Sequence, residues 1–205
     1  MSNTDLKQIA ENVQRDLDSQ IIGGKVLLDR LLFIDENSRR TSAYLDHKYA
    51  PFYYYLGKYI NPKNVLEIGF NLGLLPCCLM LSCKSVNNFL GLSKYKNDRL
   101  GKKNIKNVLK NNFNVYSGRL YDNEFIDLLD KNNWDLAIIN DETTYDEHLN
   151  YLDFLWGKMS ENAFIVCEHL ESHKPSKEAF LAFSESKSRE CKIFNTRYGT
   201  GILQR

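Results

Sequence analysis

The chain has almost no charge imbalance: over 205 residues, 27 Lys and Arg face 26 Asp and Glu, leaving a formal net charge of +1. Such a balance supplies no global attraction to nucleic acid or to an anionic membrane, and neither is expected as a partner. The one basic concentration, the Lys/Asn-rich run from Lys94 to Asn114, reads as a solvated helix face. Long apolar runs are missing as well. Nothing approaches the roughly 18 residues of a membrane span, and residues 1–20 are polar and charged, so neither insertion nor secretion is expected. Cysteine is sparse and odd in number: Cys77, Cys78, Cys83, Cys167 and Cys191 contain no C-x-x-C pair. That excludes a zinc site of the paired-cysteine kind and points to reduced thiols in a cytoplasmic setting. There is no internal repeat and no low-complexity linker, and the length suits one domain with a full core.

What the chain does have is organised around Val65-Leu66-Glu67-Ile68-Gly69-Phe70-Asn71-Leu72-Gly73. This reads as a buried strand, a glycine-bearing turn and the start of a helix. Gly69 lets backbone approach a ligand closely, and Gly73 lets the helix pack tightly on a sheet. A nucleotide-like ligand is the expected occupant, since open α/β sheets bind ligands at the carboxyl ends of their strands where strand order reverses.

From Pro62 onward the pattern alternates: strand 65–68, helix 73–83, strand 88–92, helix 97–111, strand 113–117, helix 121–131, strand 134–140, helix 145–158, strand 162–167 and helix 175–186. Two strand-like runs, 191–196 and 201–204, then flank the turn sequence Arg197-Tyr198-Gly199-Thr200. The expected fold is α/β, a Rossmann-like doubly wound and mostly parallel sheet of seven strands, ending in an antiparallel β-hairpin. Residues 61–205 form this unit. Residues 1–60 precede it as helices: Thr4–Asp18 by its apolar period, an apolar segment from Val26 to Phe33 after Gly23-Gly24, a polar loop over Asp35–Ser42, and a helix from Pro51 to about Ile60. They would either cap the ligand site or provide a surface for self-association. The crowd of Tyr44, Tyr49, Phe52, Tyr53, Tyr54, Tyr55 and Tyr59 reads mainly as core, with a pocket wall as the other reading.

The glycine turn is not a dinucleotide fingerprint, because Asn71 replaces the middle glycine of G-x-G-x-x-G, and no Walker loop is present. An oxidoreductase or nucleotide-sugar enzyme is accordingly a third-ranked reading. The surviving pattern, Glu67-x-Gly69-x-x-x-Gly73 after a Val-Leu strand, resembles the first motif of the class I S-adenosylmethionine-dependent methyltransferases, as does the order of elements. The resemblance implies that Glu67, Gly69, Phe70, Asn71 and Gly73 hold the methionine and ribose part of S-adenosylmethionine. It places Ser93 where the family usually has an acid for the ribose hydroxyls. Arg119 stands where an acid or polar residue often sits beside the adenine.

The second half, Trp134 to Tyr145 and Ala163 to His169, looks like small-molecule and sugar O-methyltransferases. The resemblance there implies a divalent metal, Mg²⁺, with Asp141 and Glu168 matching its acidic ligands; Asn140 stands where an acid is common, His169 in place of a second acid, and Thr144 where a base histidine falls. Oxygen ligands suit Mg²⁺, which lowers the pKa of a substrate hydroxyl. His169 and His148 are the candidate general bases beside Asp141, although the place of His148 on its helix reads first as solvent-exposed or capping. Glu168, His169, Glu171 and His173 read as a charged loop before Pro175, or as a transition-metal cluster if that loop were helical. The leading expectation is methyl transfer to a hydroxyl of a small molecule or sugar. A methyltransferase-like binding or structural subunit is the alternative, motivated by the missing acids at Ser93, Asn140 and His169.

Overall fold

The computed structural model describes residues 5–19, 49–94, 99–109 and 112–205. The expected apolar helix at Val26–Phe33, the loop at Asp35–Ser42, and Tyr44 lie outside them. Two helices come first, α1 (Leu6–Ser19) and α2 (Tyr49–Ile60), followed by β1 (Asn64–Ile68), α3 (Leu74–Ser82), β2 (Asn88–Ser93), α4 (Arg99–Val108), β3 (Phe113–Ser117) and α5 (Asn123–Leu129). The chain continues with β4 (Trp134–Ile139), α6 (Tyr145–Lys158), β5 (Met159–Cys167), α7 (Lys174–Ser186), β6 (Cys191–Phe194) and β7 (Thr200–Gln204). The sheet order is β3-β2-β1-β4-β5-β7-β6. Strands β1 to β5 pair in parallel, and β7 runs antiparallel between β5 and β6. The expected fold class holds. The last hairpin differs in one detail: β6 stops at Phe194, because Thr196 turns inward and its hydroxyl lies 2.7 Å from that of Thr200.

Each central strand is buried on both faces, which is why it reads as a nearly continuous apolar run. The two-residue alternation still sorts side chains between two cores. Val65, Phe89, Leu136, Ile138, Phe164 and Val166 face the layer made by α1, α2 and α3. Leu66, Ile68, Leu90, Leu92, Ala137, Ile139, Ile165 and Cys167 face the layer of α5, α6 and α7. This parity decides the fate of every candidate site residue at a strand end.

The described amino-terminal helices belong to the first core. Leu6, Ile9, Val13 and Leu17 of α1 recur on one helical face and are buried there. Asp16 fixes α1 to α2 by accepting from Lys58 Nζ at 2.9 Å and from the Tyr59 hydroxyl. Tyr49, Phe52, Tyr53 and Tyr55 are buried in the same core. Helix α2 crosses α3 at Gly57, where a Cβ would stand 2.5 Å from the Leu79 carbonyl oxygen. All five cysteines are free thiols, and every one but Cys191 is buried. Among the described residues no helix is long and apolar enough to cross a membrane.

Candidate active site

Strand order reverses at β1: the chain passes to β2 and β3 on one side of it and returns as β4 on the other. A cavity of about 630 Å³ opens there, at the carboxyl ends of these strands. That is ample for a small-molecule ligand, since such pockets run from about 300 to 1,000 Å³. Its floor is Ile68, Gly69 and Leu92; one wall is Gly118 to Tyr121 after β3; the other is Lys94, Asp141 and, from α6, Glu147, Asn150 and Tyr151.

The turn after β1 is built for close approach. Gly69 has φ +85°, its N–H donates to the Leu92 carbonyl at 3.0 Å, and a Cβ on it would meet the Asn140 carbonyl oxygen at 2.1 Å. No other residue fits. Gly73, also at positive φ, begins α3 with Phe70 against it. Phe70 itself is buried: its ring lies 5.8 Å from that of Phe89 and fills the room left by Gly91 and Gly101. Its role is to lock the turn onto β2 from within the core. Asn71 is exposed and does not line the cavity.

Strand parity divides the remaining candidates. Leu92 and Ile139 face the second layer, and one further two-residue step carries that direction to Lys94 and Asp141, which reach the cavity and pair at 2.6 Å. Burial raises the Asp141 carboxyl above its ordinary range while Lys94 opposes the rise. Ser93, Glu67, Asn140 and Glu168 have the opposite parity and turn to the first layer. Ser93 is completely buried behind the cavity floor rather than in it. Glu67 is buried beside Asn140, and burial, with the nearby Glu168 adding to it, pushes its carboxyl up to about 8.

Glu168 is sealed in by hydroxyls. Tyr53 donates to it, the Thr200 hydroxyl lies 3.0 Å from both its oxygens, and burial raises it to about 7 against these hydrogen bonds. The Mg²⁺ expectation therefore fails on the donor set. Glu168 turns its oxygens to Tyr53 and Thr200 on the first-core side, Asp141 lies on the cavity side with Oδ2 2.6 Å from Lys94, and among the described residues no three His, Cys, Asp or Glu side chains converge on a metal position. The same holds for the Glu168, His169, Glu171 and His173 cluster, whose last member instead begins α7 with Nδ1 2.9 Å from the Ser176 hydroxyl.

His169 is in the left-handed backbone region at φ +66°. Its Nε2 lies 3.2 Å from Asn140 Oδ1, its ring stacks on Tyr198 at 5.1 Å, and Glu142 Oε1 stands 3.3 Å from Nδ1 without hydrogen-bond alignment. Burial lowers its pKa, so the ring is neutral at pH 7. His148 departs from expectation: it is fully buried, with Nδ1 3.4 Å from Thr143 Oγ1, and burial lowers its pKa to about 4. Its spacing to Leu152 and Leu155, i to i+4 and i+7, marks the inner face of α6 and was the readable signal. The helix is instead capped by Thr144, which accepts from the Glu147 N–H and receives the Glu147 carboxylate on its own N–H. Thus Gly69, Arg119 and Asp141 meet in the cavity, whereas Glu67, Phe70, Asn71, Gly73, Ser93, Asn140, His148, Glu168 and His169 do not line it. Ile68, Leu92, Lys94, Gly118, Leu120, Tyr121, Glu147, Asn150 and Tyr151 complete the lining and were not among the expected site residues.

No family model matches the chain, and no curated protein matches it. Solved structures do. The O-methyltransferase from Bacillus cereus in complex with SAH aligns with a TM-score of 0.65 at 15% identity, covering 96% of this chain and 97% of that one. The SAH-bound methyltransferase PaMTH1 of Podospora anserina aligns at 0.64 and 12% identity over 98% and 96% of the two chains. The O-methyltransferase TomG of Streptomyces achromogenes, in complex with SAM, aligns at 0.65 and 10% identity over 95% of each. At these identities the likeness is one of fold.

Proposed function

We propose that this chain, which has the fold of the class I S-adenosylmethionine-dependent O-methyltransferases, transfers a methyl group to a hydroxyl of a small molecule or sugar. The observation that carries the reading is the cavity itself, which opens above Gly69 at the reversal of strand order. Gly69, whose missing side chain lets the turn close against Asn140, forms a floor for the methionyl and ribosyl portion of the cofactor, while Leu92, Leu120, Tyr121 and Tyr151 offer apolar and aromatic surface to an adenine. When bound, the cofactor supplies a methyl group on a positively charged sulfur. Transfer by in-line attack depends chiefly on position, so few catalytic groups are required of the protein. His169 lies outside the cavity lining, with Nε2 against Asn140 Oδ1 and Nδ1 buried beside Glu142, so we assign the hydroxyl proton to no histidine. Asn140 and Tyr198 hold the His169 ring in place. No step is assigned to Mg²⁺, for which the residues present do not form a site. The open cavity also weighs against a purely structural subunit.

The test is calorimetric titration of the purified chain with S-adenosylmethionine and S-adenosylhomocysteine. Saturable heat with one site per chain is expected. Absence of heat and of any thermal shift at millimolar ligand overturns the proposal.

A further inference from the structure

The Lys94–Asp141 ion pair occupies ground that a ligand must cross. Asp141 leans over the glycine turn: a Cβ on Gly69 would stand 3.3 Å from the Asp141 Cβ. Its carboxylate meets Lys94, arriving from the end of β2, at 2.6 Å. The two ends of the bridge differ in freedom. The Asp141 side chain is 13% exposed and fixed, whereas that of Lys94 is 53% exposed and lies on a flexible stem. A carboxylate so far withdrawn from water demands a cation or a proton. Lys94 can swing into solvent, and Asp141 cannot follow it. The other carboxylate on this wall, Glu147, is committed to capping α6 at Thr144.

We infer that Lys94 is an internal stand-in for a cationic group of the ligand: a bound molecule carrying an ammonium or sulfonium displaces the lysine from Asp141, which then holds the ligand's positive charge. The inference rests on the proposed cofactor, whose amino-acid end carries an ammonium and whose sulfur carries a charge. It adds to that reading a subsite and a competitor within the protein. The exchange keeps the buried carboxylate paired in both states, so neither state contains a bare charge. The competing lysine lowers apparent affinity for every cationic ligand and leaves neutral ones unaffected.

The experiment compares the unmodified protein with Lys94→Met, Lys94→Gln and Asp141→Asn, titrating each calorimetrically at pH 7.5 with S-adenosylmethionine, S-adenosylhomocysteine and adenosine, the last having no cationic group. Removal of the ammonium is expected to tighten the first two ligands by up to about fivefold, the worth of a partly exposed ion pair. Adenosine affinity stays the same. Asp141→Asn weakens both charged ligands and spares adenosine. Circular dichroism melting checks that each variant is folded, and the two lysine variants check each other. If S-adenosylmethionine binds the unmodified protein and either folded lysine variant binds it no more tightly, the displacement idea is wrong while the cofactor assignment stands. If no protein in the series binds either charged ligand, the cofactor assignment falls and the displacement idea with it.

Discussion

Replacing Glu67 by Gln tests the central carboxyl of the fold directly. Glu67 sits in mid-sheet with its side chain in the first core, 1% exposed, and burial raises it from 4.5 to about 8. A carboxyl whose folded pKa exceeds its unfolded one binds more protons in the folded state, so its contribution to stability is complete below pH 4.5 and is lost as pH rises through 8. At about 1.4 kcal/mol per pH unit, the span from 4.5 to about 8 gives a ceiling of roughly 5 kcal/mol. Glu168 adds a loss of the same sign between 4.5 and about 7. In urea unfolding at pH 5, 6, 7 and 8, His148 and His169, lowered by burial from 6.5, act in the opposite sense at the acid end, so the fall in the unmodified protein is clearest from pH 7 to 8. Glu67→Gln, uncharged throughout, loses the Glu67 part alone and keeps those of Glu168 and the histidines. The gap between the two curves should widen through the whole series and be largest at pH 8. Equal slopes for the two proteins refute the burial argument for Glu67.

Phe70→Ala empties a site bounded by Phe89 and Gly91, and a loss of about 3–5 kcal/mol is expected in denaturant unfolding. Gly69→Ala places a Cβ 2.1 Å from the Asn140 carbonyl at φ +85°, so calorimetry should register loss of ligand binding, and a variant that binds normally contradicts the account of the turn. Thr144→Ala removes the capping box of α6 and is expected to cost about 1 kcal/mol, read as a lowered denaturation midpoint. Chelation by EDTA should leave methyl transfer unchanged, because Glu168 is turned to Tyr53 and Thr200 and among the described residues no three His, Cys, Asp or Glu side chains converge on a metal position; activity lost on chelation and restored by Mg²⁺ would show the donor set to be misread.

Much of the fold was legible because parallel strands covered on both faces read as short apolar runs, and β1 through β5 all fall where those runs do. The glycine turn was equally readable, since a left-handed φ and a backbone contact leave only one residue type for Gly69. Motif alignment says less about direction. It put Ser93 and Glu168 at strand ends, where a ligand belongs, yet both point to the first core, one residue out of phase with Lys94 and Asp141. Extending the in-out alternation of Leu90 and Leu92 by one step would have identified Lys94. Tyr121 and Tyr151 carry no such signal, for their approach to one another depends on how α6 docks against the end of β3. His148 was misjudged by weighing its chemistry before its period with Leu152 and Leu155.

The contact between Phe70 and Gly91 has a consequence for how this chain can change. All three atoms nearest to an added Cβ at Gly91 belong to the Phe70 side chain, two ring carbons at 3.0 Å and its Cβ at 3.2 Å, and Gly91 has no left-handed φ to require glycine for its own sake. The strand accepts a side chain there only when the ring shrinks, and a smaller residue at position 70 leaves a void only a side chain at 91 can fill. The two positions thus behave as one hereditary unit: each substitution is harmful alone and tolerable with the other, so a route between two workable sequences must change both.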